Sequence, residues 1–245
     1  MEEKLPVHKF HWTDDSIKRF WNTMYQYPNA IGIAGVHGKI MVRQIKKKIP
    51  LENKNILDFG VGHGYLLNEV LNQTKKARTA GYDYSATAVN HTKERFKSEK
   101  RFIKAYSPDD YSDAKGLYDV VIMTEVLEHI TDENMQETFN IINVFLREKG
   151  FLVITVPNKE DVEAKHVFCP ECGCLFHPVQ HQKGYTLESL QILLNQYGFI
   201  PLSVKPVSFG EKIDLKSFFK EVYLCLKPDK KSNILGIFIK QTNNI

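Results

Sequence analysis

The spacing of apolar residues predicts short strands that alternate with helices along the middle of the chain. The apolar runs that indicate strands lie at 55–60, 77–84, 101–106, 118–124 and 150–157. The run YDVVIMT is almost continuously apolar, which is typical of a strand buried on both faces of a sheet. Amphipathic segments such as GYLLNEVLNQT separate these runs and indicate helices. Because strands that alternate with helices form βαβ units, the pattern predicts an α/β fold with a doubly wound, parallel sheet.

Two helices are predicted before the first strand of this sheet. Thr13 can cap the segment DDSIKRFWNTMYQY, whose apolar residues recur at helical spacing, and a second helix is expected over 39–48. We interpret residues 1–36 as a helical extension and 37–245 as the main domain. After the sheet, Thr186 begins a predicted helix, and the segments EVYLCLKP and ILGIFIKQ read as a β-hairpin.

Composition narrows the class of protein. The chain has 245 residues, of which 42% are hydrophobic and 25% charged, and these values exclude a disordered, collagen-like or coiled-coil protein. The net charge of +4 is too small to indicate a nucleic-acid partner by itself. No apolar run approaches the roughly 18 residues of a membrane helix. The start, MEEKLPVHKF, is polar where a signal peptide needs an apolar core, so we expect a cytoplasmic protein without a membrane span.

The strongest chemical signal is the loop LDFGVGHG at 57–64, between the first strand of the sheet and its helix. Its glycines allow the backbone to approach a ligand closely, and they are Gly60, Gly62 and Gly64. The spacing differs from the G-x-G-x-x-G of dinucleotide enzymes, and Asp58 would repel a pyrophosphate, which argues against hydride transfer. Asp83 ends the second strand, where a ribose diol would lie. These features predict a pocket for a nucleoside with a cationic amino-acid arm.

The chain here resembles the class I S-adenosylmethionine-dependent methyltransferases. The resemblance also covers GYDYS after the second strand, YDVVIMTEVLEHI across the fourth and GFLVITVPN in the fifth. EVLEHI is typical of the branch that includes the quinone-biosynthesis O-methyltransferases. The resemblance implies a Rossmann-like sheet of seven strands, the last of them antiparallel, and S-adenosylmethionine as the cofactor.

The same resemblance implies roles for particular residues. The methionine arm would be held by Asp58, Gly60, Gly62 and Gly64. Asp83 would bind the ribose hydroxyls, Tyr84 would stack near the adenine, and Glu125 would line the floor of the cofactor site. Relatives often place an acid after the third strand to bind the adenine amine, and here Ser107 or Asp109 would take that place.

Methyl transfer is an in-line displacement at a carbon that the sulfonium already activates, so alignment of the acceptor supplies much of the rate. An oxygen acceptor also needs a base. His129 is the candidate base, with Glu128 beside it, because both follow the fourth strand near the carboxyl edge of the sheet. One alternative is that these two residues cap the next short helix and fix the cofactor loop. Another is that Glu125 and Glu128 bind a divalent ion, as in some quinone methyltransferases.

The expected acceptor is a small molecule, and transfer to oxygen is favoured. The parts added to the core would select it, namely the cysteine-containing insertion and aromatic residues of the N-terminal extension: Trp12, Phe20, Trp21 and Tyr25. Ordinary packing of these aromatic residues over the sheet is the alternative. Methylation of nitrogen or carbon in a protein or RNA, and a cofactor-binding accessory subunit without turnover, are rival functions. The sequence leaves the oligomeric state open.

Three of the four cysteines lie within six residues, which favours a metal site over a disulfide framework. The insertion at 165–182 contains the pattern C-x2-C-x4-H-x3-H. Zinc favours four such ligands, and the predicted set is Cys169, Cys172, His177 and His181. A segment this short cannot build its own core, so a structural zinc would supply its folding energy.

The pattern leaves several alternatives open. Cys174 can displace one histidine from the ligand set, and His181 can instead face the acceptor pocket, as in related enzymes. The cysteines can also be reduced thiols in a surface loop. A nucleic-acid reader is disfavoured, since one knuckle has no basic helix attached.

Overall fold

A seven-stranded sheet forms the centre of the computed structural model, which describes residues 7–27, 32–209 and 231–242. In chain order its elements are β1 (His8–Lys9), α1 (Asp14–Met24), α2 (Gly32–Lys46), β2 (Asn55–Phe59), α3 (Tyr65–Gln73), β3 (Arg78–Tyr82), α4 (Ala86–Arg95), β4 (Phe102–Tyr106), β5 (Tyr118–Thr124), α5 (Asp132–Phe145), β6 (Leu146–Pro157), β7 (Val167–Phe168), β8 (Cys174–Phe176), α6 (Leu187–Gln196), β9 (Phe199–Val207) and β10 (Asn233–Lys240). Short 3-10 turns lie at Ser112–Ala114, Leu127–His129 and Glu163–Lys165.

The strand order of the central sheet is β4-β3-β2-β5-β6-β10-β9. Strands β2 to β6 pair in parallel, and β10 pairs antiparallel with both β6 and β9. The structure therefore confirms the predicted doubly wound, Rossmann-like sheet with an antiparallel last strand. The carboxyl ends of the parallel strands meet at one edge, where this class of sheet binds its ligands.

Alternate residues of the buried strands pack on opposite faces of the sheet. Leu57 and Val121 lie in one apolar cluster with residues of α5 and α6, whereas Ile56 and Val120 lie in another with residues of α2 and α3. The near-continuous apolar pattern of β5 follows from this burial on both sides.

The C-terminal prediction needs a correction. β10 pairs with β9, and β9 was not predicted as a strand. Its sequence contains Pro201 and Pro206, which cannot donate to a ladder, and β9 can carry them because it is the edge strand of the sheet. The other predicted hairpin arm, EVYLCLKP with Cys225, lies outside the described residues.

Two boundaries at the ends of helices also differ from the prediction. Helix α2 begins at Gly32 rather than at 39, and α5 ends at Phe145 because β6 starts at Leu146 rather than at the predicted 150. The domain division at residue 36 stays a prediction, and α2 spans that position.

The insertion forms a small second sheet with the N-terminal strand. Its order is β1-β8-β7, in which β1 is parallel and β7 antiparallel to β8. The start of the chain is thereby attached to the cysteine-containing segment. Within the described part of the chain, no helix is long and apolar enough to cross a membrane.

Candidate active site

The glycine loop follows β2 and turns the chain into α3. Gly60, Gly62 and Gly64 have φ values of 83°, 51° and 73°, in the left-handed region that favours glycine. A Cβ atom at Gly60 would collide with the side chain of Val126, and one at Gly64 would lie 2.5 Å from a ring carbon of Phe96. The sequence needs glycine here because both the backbone conformation and the available space exclude a side chain.

Two buried acids lie at the ends of the strands beside this loop. Asp83 accepts hydrogen bonds from the backbone N–H groups of Gly62 at 2.9 Å and Ser85 at 2.8 Å. Burial raises the pKa of Asp83 to about 6, although these two hydrogen bonds act in the opposite direction. Burial also raises the pKa of Asp58, and the nearby charge of Asp83 adds to the effect. Two buried carboxyl groups that form no ion pair among the described residues suit a cationic ligand with hydroxyl donors.

A cavity of about 710 Å³ opens beside the glycine loop, at the carboxyl edge of the sheet. Helix α1 covers it with Phe20, Trp21 and Tyr25. The ring of Tyr25 lies over the loop, since a Cβ at Gly62 would be 3.1 Å from it. Among the described residues that line the cavity there is no lysine or arginine. The cavity is therefore aromatic and acidic, and it lacks the cations that would bind a phosphate.

Glu125 stands in the cavity wall just after β5, with a left-handed φ of 51°. Its carboxylate accepts hydrogen bonds from the Thr155 hydroxyl at 2.8 Å and from the Asn233 amide at 3.1 and 3.2 Å. Burial raises the pKa of Glu125 to about 7, whereas these hydrogen bonds lower it. The carboxyl group of Glu125 is thus fixed in position, and its pKa lies close to neutral pH.

Glu128 is completely buried, and neither of its carboxylate oxygens has a hydrogen-bond partner among the described residues. Burial raises its pKa strongly, and the nearby charge of Glu125 adds to this effect. One ligand atom each from Glu128, His129 and His181 lie within 4.8 Å of one another. A buried carboxylate without a partner needs an explanation, and an absent cation is one of the ordinary ones.

Both histidines of this group are anchored through Nδ1. His181 Nδ1 lies 2.5 Å from an oxygen of Glu160, and His129 Nδ1 lies 3.4 Å from the carbonyl oxygen of Gln180. These contacts favour the tautomer that carries the proton on Nδ1 and leaves the Nε2 lone pair available. Burial lowers the pKa of His129 to about 3, so this ring is neutral at physiological pH.

The sequence of the chain matches a family model described as "Methyltransferase domain" over residues 40–204. The chain belongs to this family. It is therefore an S-adenosylmethionine-dependent methyltransferase. No curated protein is significantly similar to it in sequence.

Solved structures with the same fold are distant in sequence. A chain in the complex of the Haloferax volcanii Trm112 methyltransferase activator with a methyltransferase is 15% identical, with a TM-score of 0.66 over 91% of this chain and 98% of that one. The Burkholderia thailandensis 1,6-didemethyltoxoflavin-N1-methyltransferase is 14% identical, with a TM-score of 0.63 over 97% and 94%. A methyltransferase from Aquifex aeolicus is 15% identical, with a TM-score of 0.58 over 94% and 99%.

The structure places most of the predicted site residues of the methyltransferase in one cavity. Those that line it are Gly60, Gly62, Asp83, Tyr84, Glu125, His129 and His181. Asp58, Gly64 and Glu128 lie behind this lining. Ser107 precedes the lining residue Pro108, and its hydroxyl donates to Asp110 at 3.2 Å. The individual roles of these residues, and the quinone-biosynthesis branch, stay predictions.

Sequence reasoning missed Glu160 and Gln180. Glu160 follows the VPN that ends β6, so its place after the carboxyl end of a strand was a usable signal. Gln180 is buried with a left-handed φ of 63°, and it accepts a hydrogen bond from the Trp21 indole at 2.8 Å. Its own amide donates to the carbonyl oxygen of His129 at 2.9 Å. Nothing in the local sequence pattern marks this connection.

The predicted zinc ligands do not form a single group among the described residues. Cys169 and Cys172 group with Cys174, whereas His177 and His181 group with Glu160. His177 Nδ1 accepts the backbone N–H of His181 at 3.2 Å, so a neutral His177 carries its proton on Nε2. The Nε2 atom of His177 is buried and has no hydrogen-bond partner among the described residues, so the predicted four-ligand set stays a prediction. His181 faces the cavity, the alternative that the sequence left open.

Proposed function

We propose that this methyltransferase transfers the methyl group of S-adenosylmethionine to a small molecule bound in the cavity, with oxygen as the favoured acceptor atom. The observation that carries the proposal is a single covered cavity of about 710 Å³, which runs from the glycine loop to His129 and His181. This volume is within the usual range of roughly 300–1,000 Å³ for small-ligand sites. A protein or RNA acceptor would need an open approach where α1 lies.

The two sides of the cavity would bind different molecules. The glycine loop and Asp83 would hold the cofactor, and the aromatic residues of α1 together with His129 and His181 would surround the acceptor. In the reaction the acceptor hydroxyl group gives up its proton to water, and the carbon–sulfur bond of the sulfonium breaks while the bond from the acceptor oxygen to the methyl carbon forms, which leaves S-adenosylhomocysteine. The cavity contributes by alignment and by exclusion of water.

Some quinone methyltransferases bind a divalent cation through acids at this place, and the residues of this chain fit one. Glu128 offers two buried oxygens without a partner, and His129 and His181 each have Nδ1 anchored to an oxygen acceptor. These three residues would hold the ion, while Glu125 already accepts hydrogen bonds from Thr155 and Asn233. A cation at this place supplies positive charge that lowers the pKa of a coordinated hydroxyl group, which favours an oxygen acceptor.

Incubation with methyl-labelled S-adenosylmethionine and matched sets of phenols, catechols and primary amines tests the proposal. Protein stripped with EDTA and refilled with magnesium, manganese or zinc is compared on each set. We expect labelled hydroxyl acceptors, activity that depends on the metal, and loss of both activity and bound metal in Glu128→Gln with unchanged cofactor affinity. Preference for amines would contradict oxygen transfer. Label in protein or RNA fractions alone would contradict the small-molecule acceptor.

A second candidate is a chain that transfers methyl groups only together with another protein. The Haloferax volcanii structure favours this candidate, because it is a complex that includes a methyltransferase activator. Tight cofactor binding with no transfer to any acceptor set by the isolated chain, and transfer after addition of cell extract, would support it.

We also propose that the insertion binds a structural zinc ion. Its strands are two and three residues long, and Val167 and Phe168 remain exposed. A sheet this small is not stable by its own pairing. Elemental analysis of the purified protein tests the proposal, with one zinc per chain expected.

A further inference from the structure

The tyrosine that follows the last residue of α1 lies directly on the glycine loop. A Cβ atom at Gly62 would be 3.2 Å from the hydroxyl oxygen of Tyr25 and 3.1 Å from a carbon of its ring. The same glycine donates its N–H to Asp83 at 2.9 Å. The ring of Tyr25 meets the ring of His63, the next residue of the loop, edge to face with 5.3 Å between the centroids. The Tyr25 phenol and the Asp83 carboxyl group therefore contact the same short stretch of backbone.

Hydrogen bonds hold this end of α1 in place. The hydroxyl group of Ser85, just after β3, donates to the side-chain oxygen of Asn22 at 2.6 Å. The N–H of Tyr25 donates to the carbonyl oxygen of Trp21 at 3.0 Å, so the last turn of the helix fixes the backbone of Tyr25. The ring of Trp21 contacts the ring of His129 instead, with 4.9 Å between the centroids. Helix α1 therefore reaches both halves of the cavity, and Tyr25 lies in the half that contains the glycine loop.

The hydroxyl group of Tyr25 is a donor that faces a ligand site. Tyr25 lines the cavity, and its hydroxyl group has no hydrogen-bond partner among the described residues. Burial raises the pKa of Tyr25 well above its ordinary value, and the nearby charges of Asp83 and Asp58 add to the effect. The phenol therefore keeps its proton at neutral pH and can donate it to a group bound in the cavity.

The cofactor has one group that this donor fits. S-adenosylmethionine carries a single anionic group, the carboxylate of its methionine arm. Asp58 and Asp83 suit the amino group and the ribose hydroxyls of the cofactor, but their charges would repel this carboxylate. No lysine or arginine is among the described residues that line the cavity. The carboxylate therefore needs neutral hydrogen-bond donors beside the glycine loop, and the phenol of Tyr25 is a donor in contact with that loop.

We propose that the hydroxyl group of Tyr25 donates a hydrogen bond to the carboxylate of the methionine arm and so helps to bind the cofactor. This contact would place Tyr25 on the cofactor side of the cavity, rather than on the acceptor side that the sequence predicts. Phe20 and Trp21 would remain on the acceptor side. The inference rests on the proposed position of the cofactor at the glycine loop and adds a contact from α1 to it.

Tyr25→Phe tests the contact, because it removes the hydroxyl group and keeps the ring. Titration calorimetry measures the affinity for S-adenosylmethionine and for decarboxylated S-adenosylmethionine, which lacks the carboxylate but keeps the amino group, the sulfonium and the ribose. We expect Tyr25→Phe to bind S-adenosylmethionine about tenfold to hundredfold more weakly, as for a lost hydrogen bond to a charged acceptor, and to bind the decarboxylated analogue with wild-type affinity. Tyr27→Phe, at an exposed tyrosine two residues further on, is the matched control and should bind both ligands like the wild type.

Asp83→Asn separates failure of this contact from failure of the proposed cofactor position. Both ligands contain the ribose, so Asp83→Asn should weaken the binding of both. Wild-type affinity of Tyr25→Phe for S-adenosylmethionine, with weak binding of both ligands by Asp83→Asn, would overturn the carboxylate contact alone. Equal weakening of both ligands in Tyr25→Phe would also overturn it, because a structural role of the hydroxyl group does not depend on the carboxylate. Wild-type affinity in both variants would overturn the cofactor position and the contact together.

Discussion

Asp83→Asn separates the cost of burying this acid from its proposed role in binding the cofactor. In the free protein the Asp83 carboxyl is buried, and its pKa is raised from its ordinary value of 3.8 to about 6. At about 1.36 kcal/mol per pKa unit, ionisation of Asp83 costs the fold about 3 kcal/mol. Asparagine cannot ionise and avoids this cost. However, the N–H groups of Gly62 and Ser85 bond to different oxygens of Asp83, and asparagine has an NH2 group in place of one of them, so it keeps only one of these two bonds.

The sign of the pH dependence follows from the raised pKa. Because the pKa of Asp83 is higher in the folded than in the unfolded state, protonation of Asp83 favours the folded state. This contribution to the free energy of unfolding is lost as the pH rises from about 4 through about 6. The stability of Asp83→Asn relative to the wild type should therefore increase by up to about 3 kcal/mol between pH 4 and pH 7. Chemical denaturation at both pH values measures this difference, and the hydrogen-bond losses cancel in the comparison.

Cofactor binding should change in the opposite direction. A carboxylate that accepts two ribose hydroxyls makes two charge-assisted hydrogen bonds, each worth about 1.5–3 kcal/mol, and asparagine replaces them with one neutral bond. A loss of about 2–4 kcal/mol corresponds to an S-adenosylmethionine affinity roughly 30-fold to 1,000-fold weaker, measured by titration calorimetry. The matched control is Asp119→Asn, a buried acid at the other end of the sheet that pairs with Arg147 at 2.6 Å. An affinity in Asp83→Asn within threefold of the wild type would refute the ribose assignment.

Three further predictions follow from the same geometry. Gly64→Ala should lower the free energy of unfolding by about 2–4 kcal/mol, because alanine is strained in the left-handed conformation and its Cβ would contact Phe96. Gly116→Ala has the same strain but open space around it, so it should lower the free energy of unfolding by only about 1–2 kcal/mol, and equal losses in the two variants would contradict the packing argument. S-adenosylmethionine affinity of the wild type should fall by up to tenfold per pH unit below about pH 6, as Asp83 takes up a proton, and the same fall in Asp83→Asn would assign it to another group. Trp21→Phe removes the hydrogen bond to Gln180, which is worth about 0.5–1.5 kcal/mol, and should raise the KM for the acceptor by about two- to tenfold with the cofactor affinity unchanged. Steady-state kinetics test this prediction, with Trp12→Phe as the control variant.

The glycine loop and the acid beside it could be predicted because their determinants are local in the sequence. The apolar run of β2, the glycines after it and the acid at the end of β3 lie within 55–83, and each has a direct backbone consequence. The edge strand β9 escaped prediction for the opposite reason. Pro201 and Pro206 break the local pattern of a strand, and only the position at the edge of the sheet makes them acceptable.

The histidine assignments show a different limit of sequence patterns. The spacing of His177 and His181 after the cysteines fits a zinc site, but spacing does not reveal which nitrogen of each ring is already in use. A backbone N–H takes Nδ1 of His177, and Glu160 takes Nδ1 of His181. Glu160 comes from the segment after β6, so the decisive contact joins residues that no local motif connects.

The acceptor half of the cavity is assembled from three separate segments, and Gln180 joins them. It accepts from Trp21 of α1 and donates to the turn after β5 at His129, while the neighbouring Gln182 N–H donates to the carbonyl oxygen of Glu128 at 2.7 Å. None of these contacts involves the glycine loop. If the proposed division of the cavity holds, the acceptor side can change without altering the glycine loop. We therefore expect acceptor choice in this methyltransferase to depend on α1, on the turn after β5 and on the insertion.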